Sequence, residues 1–116
     1  EALRAALEHG VSQVETLGGR FPQVSGLSVT YSRSRPPGSR IVSVTIGGRP
    51  LDPAAFYTLA TNDFMLNGGD GYVTIKAGET IISAAGGPVM ANTVVDAVRQ
   101  AGTIAPRVEG RITAAP

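Results

Sequence analysis

The segment Ala60-Thr61-Asn62-Asp63-Phe64-Met65-Leu66-Asn67-Gly68-Gly69-Asp70-Gly71-Tyr72 constrains this chain more than any other. Gly68, Gly69 and Gly71 fall within one short stretch, and glycine adopts backbone angles that a Cβ disfavours. Such a stretch reads as a tightly bent corner rather than a helix or a strand. Before it, Tyr57 to Thr61 reads as a central strand that delivers the corner at its end. The corner sets Asp70 beside Phe64 or Tyr72, a carboxylate next to a flat apolar face. A sugar or nucleoside suits that pairing, because its ring lies on the aromatic while its hydroxyls donate to the carboxylate.

Hydrophobic periodicity supplies the scaffold. Leu3, Leu7, Val11, Val14 and Leu17 lie on one face of a helix that Gly18-Gly19 ends, with Arg4, Glu8, Gln13 and Glu15 mostly on the other. Leu27, Val29 and Tyr31 alternate with Ser28 and Thr30 as in a half-buried strand. Pro36-Pro37-Gly38 keeps Ser32 to Ser39 a loop. Ile41 to Ile46 is strand-forming, with Val42, Val44 and Ile46 in alternation, and Gly47-Gly48 is a two-residue hairpin signal. Asp52 to Ala55 suits a short helical turn. Val73 to Ile75 and Thr80 to Ile82 read as short extended pieces. Pro88 to Gln100 reads as a second helix with Met90, Val94, Ala97, Val98 and Ala101 on its apolar face, ended by Gly102. Arg111 to Thr113 reads as a last strand. Helices and strands mix without a strict βαβ rhythm. The expected class is therefore α+β, a layered domain with a mixed β-sheet packed against amphipathic helices.

Composition narrows the function classes. The 116 residues suit one domain, and a hydrophobic content of 42% suits a globular fold. A net charge of +1, with no block of basic residues, argues against nucleic acid as a partner. No run approaches the ~20 apolar residues that a membrane helix needs. Cysteine is absent, so thiolate metal sites and disulfides are excluded. The start at Glu1 reads as a cut inside a longer protein.

No catalytic constellation emerges from the residues. With Asp63 in the first position of an EF-hand loop, Met65 and Thr74 occupy places that need oxygen ligands, so that reading fails. A calcium-binding glycine repeat needs an aspartate where Val73 stands, and no G-x-G-x-x-G opens a helix. Asp63 and Asp70 lack the apolar burial that would separate an acid from a base. His9, the one histidine, sits on the polar side of the first helix and cannot build a binuclear metal site alone. Arg33, Arg35 and Arg40 read as a solvated loop. On residue type alone, a phenylalanine in the place of Phe64 belongs to a core about twice as often as to a ligand platform. Asp70 is then a turn-former whose carboxylate bonds nearby backbone N–H groups.

The form asparagine–any–phenylalanine, followed by Asn67-Gly68-Gly69-Asp70-Gly71-Tyr72, resembles the C-terminal domain of the secreted 5'-nucleotidases, a group that includes UDP-sugar hydrolases and 2',3'-cyclic-nucleotide phosphodiesterases. The resemblance takes in Leu3 to Leu17, Phe21 to Leu27, Arg35 to Val44, Gly47 to Pro53 and Pro106 to Ile112, almost the whole chain in the family's order. It implies that Phe64 stacks on a nucleobase and that Asp70 hydrogen-bonds the ribose hydroxyls or nearby groups, with Asn67, Gly68, Gly69 and Tyr72 as weaker members of the site. Asn67 reads as an Asn-Gly corner, and Tyr72 as a lid or packing residue. Relatives often carry asparagine where this chain has Asp63, so no role is carried onto Asp63.

The resemblance further implies that a metallophosphoesterase domain with two divalent metal ions, absent from this chain, performs the hydrolysis. The chain would be the nucleotide-binding part of a periplasmic or extracellular enzyme of nucleotide catabolism, rotating against its catalytic partner. Alone it would hydrolyse nothing, bind nucleosides weakly, and self-associate through apolar surface bared by the missing upstream segment. The alternative is a non-catalytic interaction or surface-display domain. Such a domain would keep the three glycines but would not need Phe64 exposed.

Overall fold

In the computed structural model, which describes residues 1–116, the first amphipathic stretch is α-helical over Ala2–Gly10 only (α1). The expected helix through Leu17 stops early for a local reason. The Ser12 hydroxyl and the Ser12 N–H both donate to the His9 carbonyl, at 2.6 and 3.1 Å, which tightens the backbone after Gly10. A 3₁₀ turn at Val14–Thr16 follows, and Leu17 takes a left-handed φ of 53° with 90% of its surface exposed. Leu7, Val11 and Val14 still reach the core, but Leu17 does not.

Four strands form one mixed sheet: β1 (Leu27–Ser32), β2 (Ile41–Ile46), β3 (Arg49–Pro50) and β4 (Ile112–Ala115), in the order β3-β2-β1-β4. β1 runs antiparallel to β2 and parallel to β4, and β2 runs antiparallel to β3. Gly47 and Gly48, with φ of 56° and 78°, make the hairpin between β2 and β3 as the sequence indicates. The α+β class and the mixed sheet are as expected.

Alternation in β2 breaks at Val42. Thr30 pairs with Ser43 and Tyr31 with Ile41, so Val42 is the extra residue of a bulge. That one residue resets the facing. Ile41 and Val44 are both buried, Val42 is exposed, and the core gathers Leu7, Val11 and Val14 against Val29, Tyr31, Ile41 and Val44.

Two charged residues lie inside this layer against the expectation for their positions. The Glu8 carboxylate is buried and accepts the Arg40 and Ile41 N–H groups at 2.7 and 2.9 Å, capping the start of β2. Arg40 is buried too, not solvated. Its guanidinium donates to the Val11 and Arg35 carbonyls and to Glu15, whose nearest oxygen is 2.7 Å away. The hydrogen bond from Arg40 holds the Glu15 carboxyl below the usual carboxylate range. Buried charge is tolerated here because each group is fully hydrogen-bonded.

Two short helices, α2 (Asp63–Leu66) and α3 (Val73–Lys76), follow the sheet's first three strands. Tyr57 to Thr61 is not a strand, and Val73 to Ile75 is helical rather than extended. A strand needs a neighbour to satisfy its ladder, and no fifth strand joins the sheet. These elements belong to one compact unit, Glu1–Gly78 with Gly110–Pro116. A second unit, Glu79–Glu109, contains helix α4 (Met90–Ala101), which Gly102 ends at φ 73°. Ile81 and Ile82 are not in a strand, and Met90, Val94 and Val95 of α4 are exposed.

Candidate functional site

The chain enters the corner through a well-made cap. Asn62 has extended backbone, and its side-chain oxygen accepts the Met65 N–H at 2.8 Å, starting α2. Asp63 turns its carboxylate onto the Phe64 N–H at 2.9 Å, and the Asn67 amide donates to the Asp63 carbonyl at 2.8 Å. Asn67 is thus committed to the turn. Replacing Asn62 with alanine is expected to cost about 1 kcal/mol of stability, read as a lower denaturant midpoint with unchanged m. An unchanged midpoint would mean that the cap contributes nothing.

The glycines have separate steric duties. Gly68 takes a left-handed φ of 87°. At Gly69 a Cβ would stand 2.5 Å from the Phe64 ring, so glycine is what allows that ring to lie over the corner. At Gly71, φ 85°, a Cβ would meet the His9 ring at 2.8 Å.

Asp70 adopts a left-handed φ of 53°, a conformation that a short polar side chain tolerates better than most. The backbone of the corner is fastened to α1. The Nε2 of His9 lies 2.7 Å from the Asp70 carbonyl, which only accepts, so Nε2 carries the proton. The His9 ring meets Tyr72 edge-to-face with centroids 5.0 Å apart. Tyr72 is 3% exposed and donates its hydroxyl to the Arg20 carbonyl. It packs beneath the corner. Burial pushes the Tyr72 hydroxyl above the usual tyrosine range, the Asp70 carboxylate adds to the rise, and Arg20 opposes it.

What remains free is what a ligand needs. Phe64 is 56% exposed, and the Asp70 carboxylate accepts no hydrogen bond from the protein. Both line a cleft of about 200 Å³ with Arg20, Phe21, Gln23, Asn62 and Met65. Phe64 also borders a shallower depression with Asp63, Asn67, Gly68 and Gly69. Phe21 is 37% exposed and braced edge-to-face on Tyr31, with centroids 6.3 Å apart.

Sequence reasoning missed His9 and the Arg20–Gln23 wall. His9 is far from the corner in sequence, and no spacing rule joins them. Phe21 enters the sequence analysis only within the Phe21 to Leu27 segment of the family resemblance, with no site role attached to it. No group of three or more His, Cys, Asp or Glu side chains converges anywhere in the chain. The residues present therefore do not fit a divalent metal site of their own.

Comparison with known proteins gives the family of the chain. Residues 1–77 match the family model for the 5'-nucleotidase C-terminal domain. The trifunctional nucleotide phosphoesterase protein YfkN of Bacillus subtilis is 36% identical over 95% of this chain and 8% of its own length. A snake venom 5'-nucleotidase from Gloydius brevicauda is 35% identical over 96% of this chain and 20% of its own. In the crystal structure of the 5'-nucleotidase precursor from Thermus thermophilus, 36% identical, the match has a TM-score of 0.81 and covers 97% of this chain and 23% of that one. The chain thus spans less than a quarter of each of these relatives. It belongs to the 5'-nucleotidase C-terminal domain family.

Proposed function

We propose that this chain is the nucleoside-gripping part of a 5'-nucleotidase-type phosphohydrolase, exported to the periplasm or the cell exterior. The carrying observation is an exposed phenyl ring and an unpartnered carboxylate on the rim of one cleft, at Phe64 and Asp70. The ring stacks on the base. The carboxylate accepts from the ribose diol. A catalytic domain of the same protein supplies the hydrolysis with its divalent metal ions. These residues fix the nucleoside so that the phosphate is presented to that partner, which turns remote binding energy into orientation. The venom relative supports export, and no helix here is long and apolar enough to cross a membrane. An interaction or display domain would not need Phe64 exposed beside a free acid.

Two nucleosides test the reading. Asp70→Asn is expected to weaken adenosine binding to the chain by about tenfold, since a hydrogen bond to a charged acceptor contributes about 1.5–3 kcal/mol. Binding of 2',3'-dideoxyadenosine, which lacks the diol, is expected to stay within twofold, the change being read by NMR titration. Equal losses for both ligands would remove Asp70 from the ribose.

A further inference from the structure

Arg20 stands in the cleft with Phe64 and Asp70, and its guanidinium has neither a hydrogen bond nor an ion pair with any protein group. Only its backbone carbonyl is engaged, by Tyr72. Arg20 and Asp70 do not pair with each other, although both charges act on the Tyr72 hydroxyl. One cleft therefore holds a free cation and a free anion at separate points of its wall, with Phe64 and Phe21 as aromatic neighbours.

The polar inventory of that wall is lopsided. Asp70, ionised, only accepts, and Arg20 only donates. Asn62 lines the cleft and has its amide oxygen engaged by the Met65 N–H, so its remaining polar group, the NH₂, is a donor. Gln23 donates and accepts equally. Once a ribose diol occupies Asp70, the groups left for the base edge are mostly donors. A base that offers acceptors is matched by more of this wall than a base that offers an amino group there, for which only Gln23 accepts.

We propose that Arg20 is a specificity-determining residue that selects nucleosides with a carbonyl on the base edge, the 6-oxopurines above all, over adenosine. The inference rests on the nucleoside-binding reading of the same cleft. Its chemistry is that of the planar guanidinium, which donates two parallel hydrogen bonds to the carbonyl and ring nitrogen of guanine. Adenine keeps the ring nitrogen but replaces the carbonyl with an amino donor, and one of the two bonds is lost. Lysine, a single point charge, would not reproduce the fork.

The probe is a matched pair, inosine and adenosine, which differ at that edge. Each is titrated into the 116-residue chain and followed by amide and side-chain NMR shifts. The native chain is expected to bind inosine about fivefold more tightly than adenosine, the lower end of the discrimination given by a bidentate pair. In Arg20→Gln the ratio is expected to fall to within twofold, because inosine loses two hydrogen bonds and adenosine only one. Arg20→Lys is expected to give an intermediate ratio. The variants retain the Tyr72 bond, which uses the backbone, and an unchanged amide spectrum away from the cleft verifies this.

Equal affinities in the native chain, both abolished by Phe64→Ala, would overturn the role of Arg20 while the nucleoside site stood. Failure of either nucleoside to bind would overturn both. If adding a 5'-phosphate raised affinity in the native chain, and that gain vanished in Arg20→Gln with the inosine ratio intact, Arg20 would read phosphate and not base.

Discussion

Replacing Phe64 with alanine is expected to lower nucleoside affinity about tenfold or more while leaving the fold intact. Stacking of a base on an aromatic ring contributes about 1–3 kcal/mol, and little else in the cleft offers a flat apolar face of that size. Phe21 is the other partly open aromatic ring of the cleft, and it is already braced on Tyr31. Stability should barely change, because Phe64 is outside the core and its contact is with Gly69. Phe64→Trp should retain binding, and Phe64→Leu, which keeps apolar area but no planar face, should not. Titration of each variant with adenosine reads the effect. Native-like affinity in Phe64→Leu would show that simple apolar contact, not stacking, is at work.

The largest stability effect is expected far from that ring, at Glu8. Its two oxygens satisfy the Arg40 and Ile41 N–H groups, and it is the buried negative charge nearest the buried Arg40 backbone. Glu8→Ala leaves two interior N–H groups without partners at the edge of β2, each costing about 1–3 kcal/mol. A loss of about 3 kcal/mol or more follows, on the order of 10 °C in the melting temperature of a domain this size. Glu8→Gln should recover little, since its NH₂ group must face one of the two N–H donors. Melting within a few degrees of the native chain for both variants would contradict the geometry.

That same residue shows where the sequence stopped being legible. Helical periodicity placed Glu8 on the solvent face of α1, because periodicity knows only one helix. What buries it is the start of β2 arriving from Arg40 and Ile41, more than thirty residues on. Arg40 was obscured in the same way, as its partners at Val11 and Glu15 come from the segment after α1. The bulge at Val42 could not be foreseen from alternation, since it depends on the register against β1. By contrast Gly47-Gly48, β1 and α4 were legible because each rests on local chemistry: left-handed glycines, alternation, and a glycine stop.

The corner itself was half legible. Its glycines and its aromatic–acid pair could be read directly, and the exposure of Phe64 leaves that ring open to a ligand. The strand expected to carry it, Tyr57 to Thr61, is absent, and the corner is instead held from below by Tyr72 and from the side by His9. These supports join Asp70 and Gly71 to α1 across about sixty residues of sequence. No local pattern encodes such a contact.

Intermolecular NOEs between a bound nucleoside and the chain, with the phenylalanine ring protons assigned, address the central claim directly. Cross-peaks are expected from base protons to the Phe64 ring and from ribose protons to the backbone around Asp70. Cross-peaks confined to other surfaces, with the Phe64 ring silent at saturating nucleoside, would contradict it.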